Sequence, residues 1–394
     1  MPSDLTFTIM SHAGEWLDRL KSTIGQIVAG QSLSLSYQAI DYDTGWSDFM
    51  RNVIYGSNQD VSEMGTSWVN DFAAMNGLRP FSPAEVRNLG GEAAFPPGLW
   101  RSGVNTDGIA HAIPWMTYLS LVYYRRDLLR EAGVEVADAF STPENLEQTL
   151  ERLSRHGGMV SPWAISSRSK YTTLHDLSMW LWAKGTDFVG PTGKDVLLNE
   201  RNARSAMRAY FGLARYLSPK ARGLTDLEVD DLFARGEAAV TVSGPGLYSM
   251  CKTNNLDVGV AIPFGQSIIG GSSLVIWRST RSWEKALRLI SVLSSQEIQT
   301  SLPKIAGMLP GRLDMLERFQ FSDDSEINSV VARAIQTGRS VPRVSLLGMI
   351  EERLAKAFEN LWTSLLSTPQ PDLDQLLEQM VTPVVERVNL ALAH

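Results

Sequence analysis

Several short segments place binding-type side chains directly after β-rich runs. Gly65-Thr66-Ser67-Trp68 follows the candidate strand Asp60–Met64, and His12, Gly14 and Glu15 follow Leu5–Met10. In an open α/β sheet, ligands collect outside the carboxyl ends of strands, so these residues stand where a ligand would. An indole offers a flat apolar face, and hydroxyls donate and accept hydrogen bonds. A helix starting near Glu15 would turn its unpaired backbone N–H groups the same way. Each also has a structural reading. Trp68 could open a helix toward Phe72 as a core residue, and Ser11 could cap the first helix with His12 merely exposed.

Further along, Trp115 follows Pro114; the residue before a proline is held extended, so Ile113-Pro114 makes a stiff strand exit. Trp115 is then either a contact or a buried ring. Tyr171 follows the polar loop Ser166-Ser167-Arg168-Ser169 and is a second candidate contact, whereas Trp180 and Trp182 read as core. Ser243-Gly244-Pro245-Gly246 and Gly270-Gly271-Ser272 read as glycine-rich turns. Their amides could approach a ligand, which makes Gly271 and Ser272 candidates, or they could serve the turns alone. Neither has the form of a nucleotide-binding loop. Arg312 could present its fork to vicinal hydroxyls or a carboxylate, or pair with Asp314.

Catalytic chemistry finds less support. Gly65-Thr66-Ser67-Trp68-Val69 lacks the second glycine of a nucleophile elbow. Cys251 has no histidine near it in sequence, and as the only cysteine it excludes an internal disulfide or a cysteine-rich metal site. The five histidines, His12, His111, His156, His175 and His394, show no H-x-x-x-H spacing. No metal, cofactor or catalytic residue is therefore expected. Lys plus Arg is 36 against 43 Asp plus Glu, a net charge of −7, which disfavours nucleic acid and anionic membranes as partners. No apolar run approaches the length of a membrane span, and the first ten residues lack the form of a signal peptide.

These residues need elements to position them. The chain of 394 residues has 44% hydrophobic and 20% charged residues, ordinary globular usage with ample core. Strand candidates are Leu5–Met10, Ser32–Tyr37, Asp60–Met64, Ile109–Ile113, Leu119–Tyr124, Ala239–Val242, Val258–Ile262 and Leu274–Trp277. Helical spacing runs from Glu15 to Val28, through Trp283, Ala286, Leu287, Ile290 and Leu293, and over most of Leu346–Leu366 and Leu373–Leu390. Ser141-Thr142-Pro143-Glu144 reads as a helix start, with Ser141 and Glu144 as a capping box. The alternation predicts an α/β protein with largely parallel sheets.

Several segments together resemble the family 1 extracellular solute-binding proteins, the maltose-binding-protein-like sugar receptors of ABC importers. They are Asp60–Val69 with Phe72-Ala73-Ala74, and Asp107–Trp115 leading to Leu121–Leu129 and Glu131–Val134. Phe233–Val240 with Ser243–Gly246, Gly270–Ile276 with Ala286–Ile290, and Gly307–Arg312 complete the set, over roughly residues 5 to 315. The resemblance implies a two-lobed periplasmic-binding-protein-like fold of type II with a helical C-terminus. Its hinge would have two or three crossing segments near Ala112–Pro114, Pro263–Gly265 and Leu316–Phe321. The implied lobes are 1–112 with 266–318, and 113–265 with 319–394.

It further implies a monomeric receptor that closes on a mono- or oligosaccharide in an inter-lobe cleft and delivers it to the importer's membrane subunits. The expected contacts are His12, Glu15, Ser67, Trp68, Trp115, Tyr171, Gly271, Ser272 and Arg312. Many relatives carry an aromatic residue after Ser-Gly-Pro; here Gly246 stands there, with Tyr248 a substitute. The expected location is extracytoplasmic, periplasmic or lipid-anchored; with Met1 as the native start it would be cytoplasmic. The alternatives are a cytoplasmic metabolite sensor or regulator on the same fold and, behind it, a carbohydrate-active enzyme.

Overall fold

The computed structural model describes residues 5–11, 16–29, 33–56, 59–156, 158 and 160–393. Ten strands are found among them: β1 (Leu5–Ser11), β2 (Leu35–Asp41), β3 (Val61–Gly65), β4 (Ala112–Leu119), β5 (Leu121–Arg125), β6 (Ser161–Ala164), β7 (Ala238–Ser243), β8 (Val258–Ala261), β9 (Ile269–Ile276) and β10 (Leu309–Pro310). The chain divides into two compact units. The first holds residues 1–118, 269–320 and 343–348; the second holds 119–268, 321–342 and 349–394.

The first unit is built on a six-stranded sheet of order β10-β4-β9-β3-β1-β2. β1 runs parallel to both β2 and β3, while β9 returns antiparallel to β3. The helix Trp16–Ala29 lays Leu20, Ile24 and Val28 on the sheet at a four-residue spacing. Phe7, Ile9, Trp115, Ile276, Leu289 and Ile290 fill the same core. Asp60 ties the start of β3 to its neighbours: its carboxylate accepts the Thr6 N–H at 2.9 Å and the Thr280 hydroxyl.

The second unit has a four-stranded sheet of order β6-β7-β5-β8, with β6 parallel to β7 and β5 antiparallel to both its neighbours. Helices cover it. Trp180 is fully buried, edge-on to Tyr210 at 4.9 Å and to Phe264 at 4.8 Å, so it is core as expected. Trp182 is buried too, and its indole donates to Asp187 at 3.0 Å.

The structure departs from the sequence reading in five places. The sheets are mixed rather than largely parallel, because β5 runs against both its neighbours and β9 against β3. β4 continues through Pro114-Trp115-Met116, which looked like a break; its short partner β10 pairs only with Met116 and Thr117, so the missing proline N–H breaks no rung of that ladder. β9 begins five residues earlier than expected, at Ile269, and takes in both glycines. The helix Pro143–His156 is capped by Thr142, whose hydroxyl accepts the Asn145 N–H at 3.1 Å, while Ser141 turns back to the Asp138 carbonyl. The last helical stretch is two helices, Leu373–Met380 and Thr382–Leu392, with Pro383 in the first turn of the second.

Candidate functional site

In the first unit, the parallel strands β1, β2 and β3 end side by side, with Ser11 opposite Asp41. Their carboxyl ends carry the polar groups. Asp41 closes β2 and caps the helix Tyr42–Tyr55, its carboxylate accepting the Asp43 N–H at 2.8 Å. That cap places Tyr42 at the first helical position, half-buried, with its ring stacked on Trp68 at 5.2 Å and 23°. Trp68 itself is completely buried. Its amide bonds the Gly65 carbonyl at 3.0 Å, and Phe49 meets its ring edge-on at 6.4 Å. A Cβ on Gly45 would come within 3.0 Å of the same indole, so a glycine is needed behind it. Trp68 is thus the support beneath Tyr42 rather than an open face.

Thr66 and Ser67 stand beside this pair with little exposure. The Thr66 N–H donates to the Gly271 carbonyl at 3.1 Å, which joins the end of β3 to β9. Underneath lies Glu63, wholly buried, one oxygen accepting the Met10 N–H at 3.0 Å and the Ser272 hydroxyl beside the carboxyl group. Removal from water pushes its pKa up to about 7, against the lowering effect of those two donors. Near neutral pH this group exchanges between acid and carboxylate, able to donate or accept.

The expected contacts separate into groups. Ser67 and Ser272 lie at the β3 and β9 ends just described, and Trp68 lies behind them. Gly271 belongs to a strand, not a turn; a Cβ there would meet the Met116 carbonyl oxygen at 2.1 Å, and φ is 132°. Its role is to let β4 and β9 approach. Trp115 is fully enclosed in the core, edge-on to Phe7 at 5.9 Å, with its indole donating to the Leu293 carbonyl at 3.1 Å. Arg312 holds Asp314 through two nitrogens, at 2.9 and 3.1 Å, and the Leu89 carbonyl through a third at 3.0 Å. The pairing with Asp314 is therefore the one formed. His12 and Glu15 lie outside the described residues.

In the second unit, β6 and β7 also end on one edge because they are parallel. Past the end of β6 come Ser166, Ser167 and Ser169 on one loop, and Ser243 closes β7 before Gly244. Ser243 donates its hydroxyl to Asp230 at 2.6 Å, and Ser169 donates to Asp226. Asp230 is half-buried and its pKa is pushed up to about 7, first by loss of water and further by the Asp226 charge. Asp176 is buried, and burial with the nearby Asp226 charge holds its carboxyl well above the usual carboxylate range.

Tyr171, expected as a contact here, is also buried; its hydroxyl donates to Glu352 at 2.7 Å, and Lys170 pairs with the same carboxylate at 2.8 Å. Tyr248 is half-buried, its ring tilted against Phe321 at 5.1 Å and its hydroxyl bonded to Ser322. Sequence reasoning missed Tyr42, Glu63, Asp176 and Asp230. For Tyr42 a signal existed: it follows a strand directly, after an acidic cap residue. Among the described residues no cluster of His, Cys, Asp and Glu is arranged to hold a metal ion, and no helix is long and apolar enough to cross a membrane.

Comparison with known proteins adds to this geometry. The model of a family described as bacterial extracellular solute-binding protein matches residues 29–329. A binding protein of Brucella abortus is 20% identical over 86% of this chain and 82% of its own length. An sn-glycerol-3-phosphate-binding periplasmic protein of Rhizobium meliloti is 25% identical over 67% of this chain and 63% of its own. Among solved structures, an ABC transporter solute-binding protein from Thermotoga lettingae bound with α-D-tagatose aligns with a TM-score of 0.82 at 21% identity, over 99% of this chain and 100% of that one. One from Agrobacterium vitis with bound D-mannitol aligns at 0.78 and 16% identity, over 98% and 99%. The fold is that of the two-lobed binding proteins.

Proposed function

The chain belongs to the bacterial extracellular solute-binding protein family, binding proteins rather than enzymes, and on that footing we propose that its solute is a carbohydrate taken for an ABC importer. The observation that carries this reading is the half-buried Tyr42 ring stacked on Trp68 at the carboxyl ends of parallel strands, with the Thr66 and Ser67 hydroxyls beside it. A stacked aromatic pair provides a flat platform for the C–H face of a pyranose, and neighbouring hydroxyls match its edge. The second unit carries acceptors of its own, Asp230 with Ser243 and Asp226 with Ser169. Solved structures of the same fold hold tagatose, mannitol or maltose, which supports a polyhydroxylated ligand.

The receptor works as a monomer outside the cytoplasmic membrane. Binding favours the conformation that holds the sugar best, and the importer's membrane subunits recognise that state. The test is a thermal-shift screen of the whole chain against mono- and oligosaccharides, with amino acids and peptides as controls. A sugar at about a hundred times its dissociation constant stabilises the fold by about 2.7 kcal/mol. A shift confined to amino acids or peptides would overturn the carbohydrate reading.

A further inference from the structure

The junction between β1 and β3 is closed at both ends by side chains of β3. Backbone groups alternate along β1. The Leu5 N–H turns toward β2, where it meets the Ser34 carbonyl, and the Thr6 carbonyl turns toward β3, where it accepts the Asp60 N–H at 3.2 Å. The N–H groups of Thr6 and Met10 therefore face β3 as well. Among the described residues, the ladder between these strands pairs Phe7 with Val61 and Thr8 with Ser62. At its start the Asp60 carboxylate accepts the Thr6 N–H at 2.9 Å; past its end the Glu63 carboxyl group accepts the Met10 N–H at 3.0 Å. The two contacts are alike, but it is the one at Glu63 that adjoins the candidate site.

The strand ends that carry the site depend on this contact. Ser11 pairs with Asp41, so the end of β1 moves with the end of β2 and with Tyr42 behind it. The Thr66 N–H holds the Gly271 carbonyl, so the end of β3, with Thr66 and Ser67, moves with β9. Glu63 joins the first pair of strands to the second. Leu274 is its partner in register and Ser272 lies two residues away on the same face, so the carboxyl group stands where β1, β3 and β9 meet. Glu63 is wholly buried and Met10 almost so, which keeps water from replacing the acceptor. The Tyr42–Trp68 stack is a second link across the gap, and it is itself part of the platform.

Resting on the carbohydrate reading above, we propose that Glu63 is a positioning residue for sugar binding: by taking the Met10 N–H it sets the spacing between Tyr42 and the Thr66 and Ser67 hydroxyls. Glu63 touches no ligand itself. A flat ring and a set of hydroxyls recognise one sugar only at matched distances, and those distances are held by the groups behind them. The contact needs an acceptor oxygen rather than a charge. A carboxamide keeps one, and an alkyl side chain has none.

The experiment is calorimetric titration of the full chain and its variants with glucose, galactose, mannose and maltose, alongside hydrogen exchange resolved to single amides. Glu63→Leu should bind the preferred sugar about tenfold more weakly, a difference of about 1.4 kcal/mol, and exchange its Met10 amide faster. Glu63→Gln should restore both. Asp60→Ala removes the matching contact at the far end of the ladder; it should lower stability and speed exchange at Thr6, with affinity unchanged. Should Glu63→Leu fail to fold, Glu63→Asp draws the carboxyl group back by one methylene and should show the same losses. Glu63→Leu binding as tightly as the natural chain, or Glu63→Gln as weakly as Glu63→Leu, would overturn the positioning role and leave the carbohydrate reading standing. An equal loss of affinity in Asp60→Ala would do the same, because it would trace the effect to stability alone. A natural chain that binds none of the four sugars would overturn the carbohydrate reading. An unchanged Met10 amide in Glu63→Leu would overturn the positioning role by itself, whatever the ligand.

Discussion

The α-carbon of Gly271 in β9 faces the Met116 carbonyl of β4 so closely that an added Cβ would lie 2.1 Å from that oxygen. The contact is backbone on backbone, so no side chain can rotate away. At φ 132° the position also lies in a region that L residues rarely adopt. Gly271→Ala should therefore destabilise the first unit by roughly 2 kcal/mol or more, read as a lower denaturant midpoint with an unchanged slope. Gly270 is the matched control: a Cβ there finds only the Thr66 hydroxyl, at 3.6 Å, and Gly270→Ala should cost far less.

Glu63 gives the chain a pH-dependent stability whose sign is fixed by burial. Its pKa rises from 4.5 to about 7 on folding, so between those values the folded chain keeps a proton that the unfolded chain releases. Folding stability from this group is then fully present below about pH 4.5 and falls as pH rises to 7, by about 3 kcal/mol in all. Glu63→Gln retains an acceptor for the Met10 N–H and removes the titration. The stability advantage of the variant over the natural chain should grow across that window, as measured by urea unfolding at a series of pH values. Parallel curves would show that Glu63 stays ionised.

Tyr42 and Trp115 should behave oppositely. Tyr42 is half-buried at the carboxyl end of β2, so Tyr42→Ala should weaken sugar binding by about 1 kcal/mol, with a smaller effect on folding. Trp115 is enclosed and bonded to the Leu293 carbonyl, which Gln299 also reaches at 3.4 Å, so Trp115→Phe should cost stability, on the order of 1 kcal/mol for the lost indole bond, and leave affinity unchanged. Titration and unfolding of both variants separate the two roles. A large loss of affinity in Trp115→Phe with unchanged stability would put that ring on the ligand.

Much of this arrangement was legible in the sequence, and the exceptions have physical causes. Alternating strands and helices, the strand–loop placement of Thr66 and Ser67, and the core character of Trp180 follow from periodicity and position. Trp68, Trp115 and Tyr171 were harder, because an indole or phenol after a strand can turn either way, and only tertiary packing decides. Tyr42 sits on Trp68, Leu293 offers Trp115 a carbonyl, and Glu352 takes the Tyr171 hydroxyl, each from a distant part of the chain. Gly270-Gly271 looked like a turn because pattern reading has no term for a backbone that approaches from β4. Glu63 was hidden for a related reason: inside a strand, an acidic residue reads as a solvent-facing position until the neighbouring strands are known to cover it.

Asp71 is a polar anchor of the first unit with several partners in one place. Its two carboxylate oxygens accept the backbone N–H groups of Leu347 and Gly348, at 3.0 and 2.8 Å, and the Trp46 indole N–H at 3.2 Å. The side chain is wholly buried, so removing it strands buried donors as well as deleting bonds. Asp71→Ala should cost roughly 3 kcal/mol. Asp71→Asn should recover little, since an amide nitrogen would then face one of the three donors. Gly348 offers an independent check, because a Cβ there would meet the Trp46 indole nitrogen at 2.0 Å. Gly348→Ala should thus disturb the same junction from the other side, since that Cβ would also lie 2.9 Å from an Asp71 carboxylate oxygen. In hydrogen exchange, all three variants should speed exchange at the Leu347 and residue-348 amides more than in the β1–β2 ladder. Equal acceleration everywhere would mean that Asp71 acts on global stability alone, not on the seating of residues 343–348.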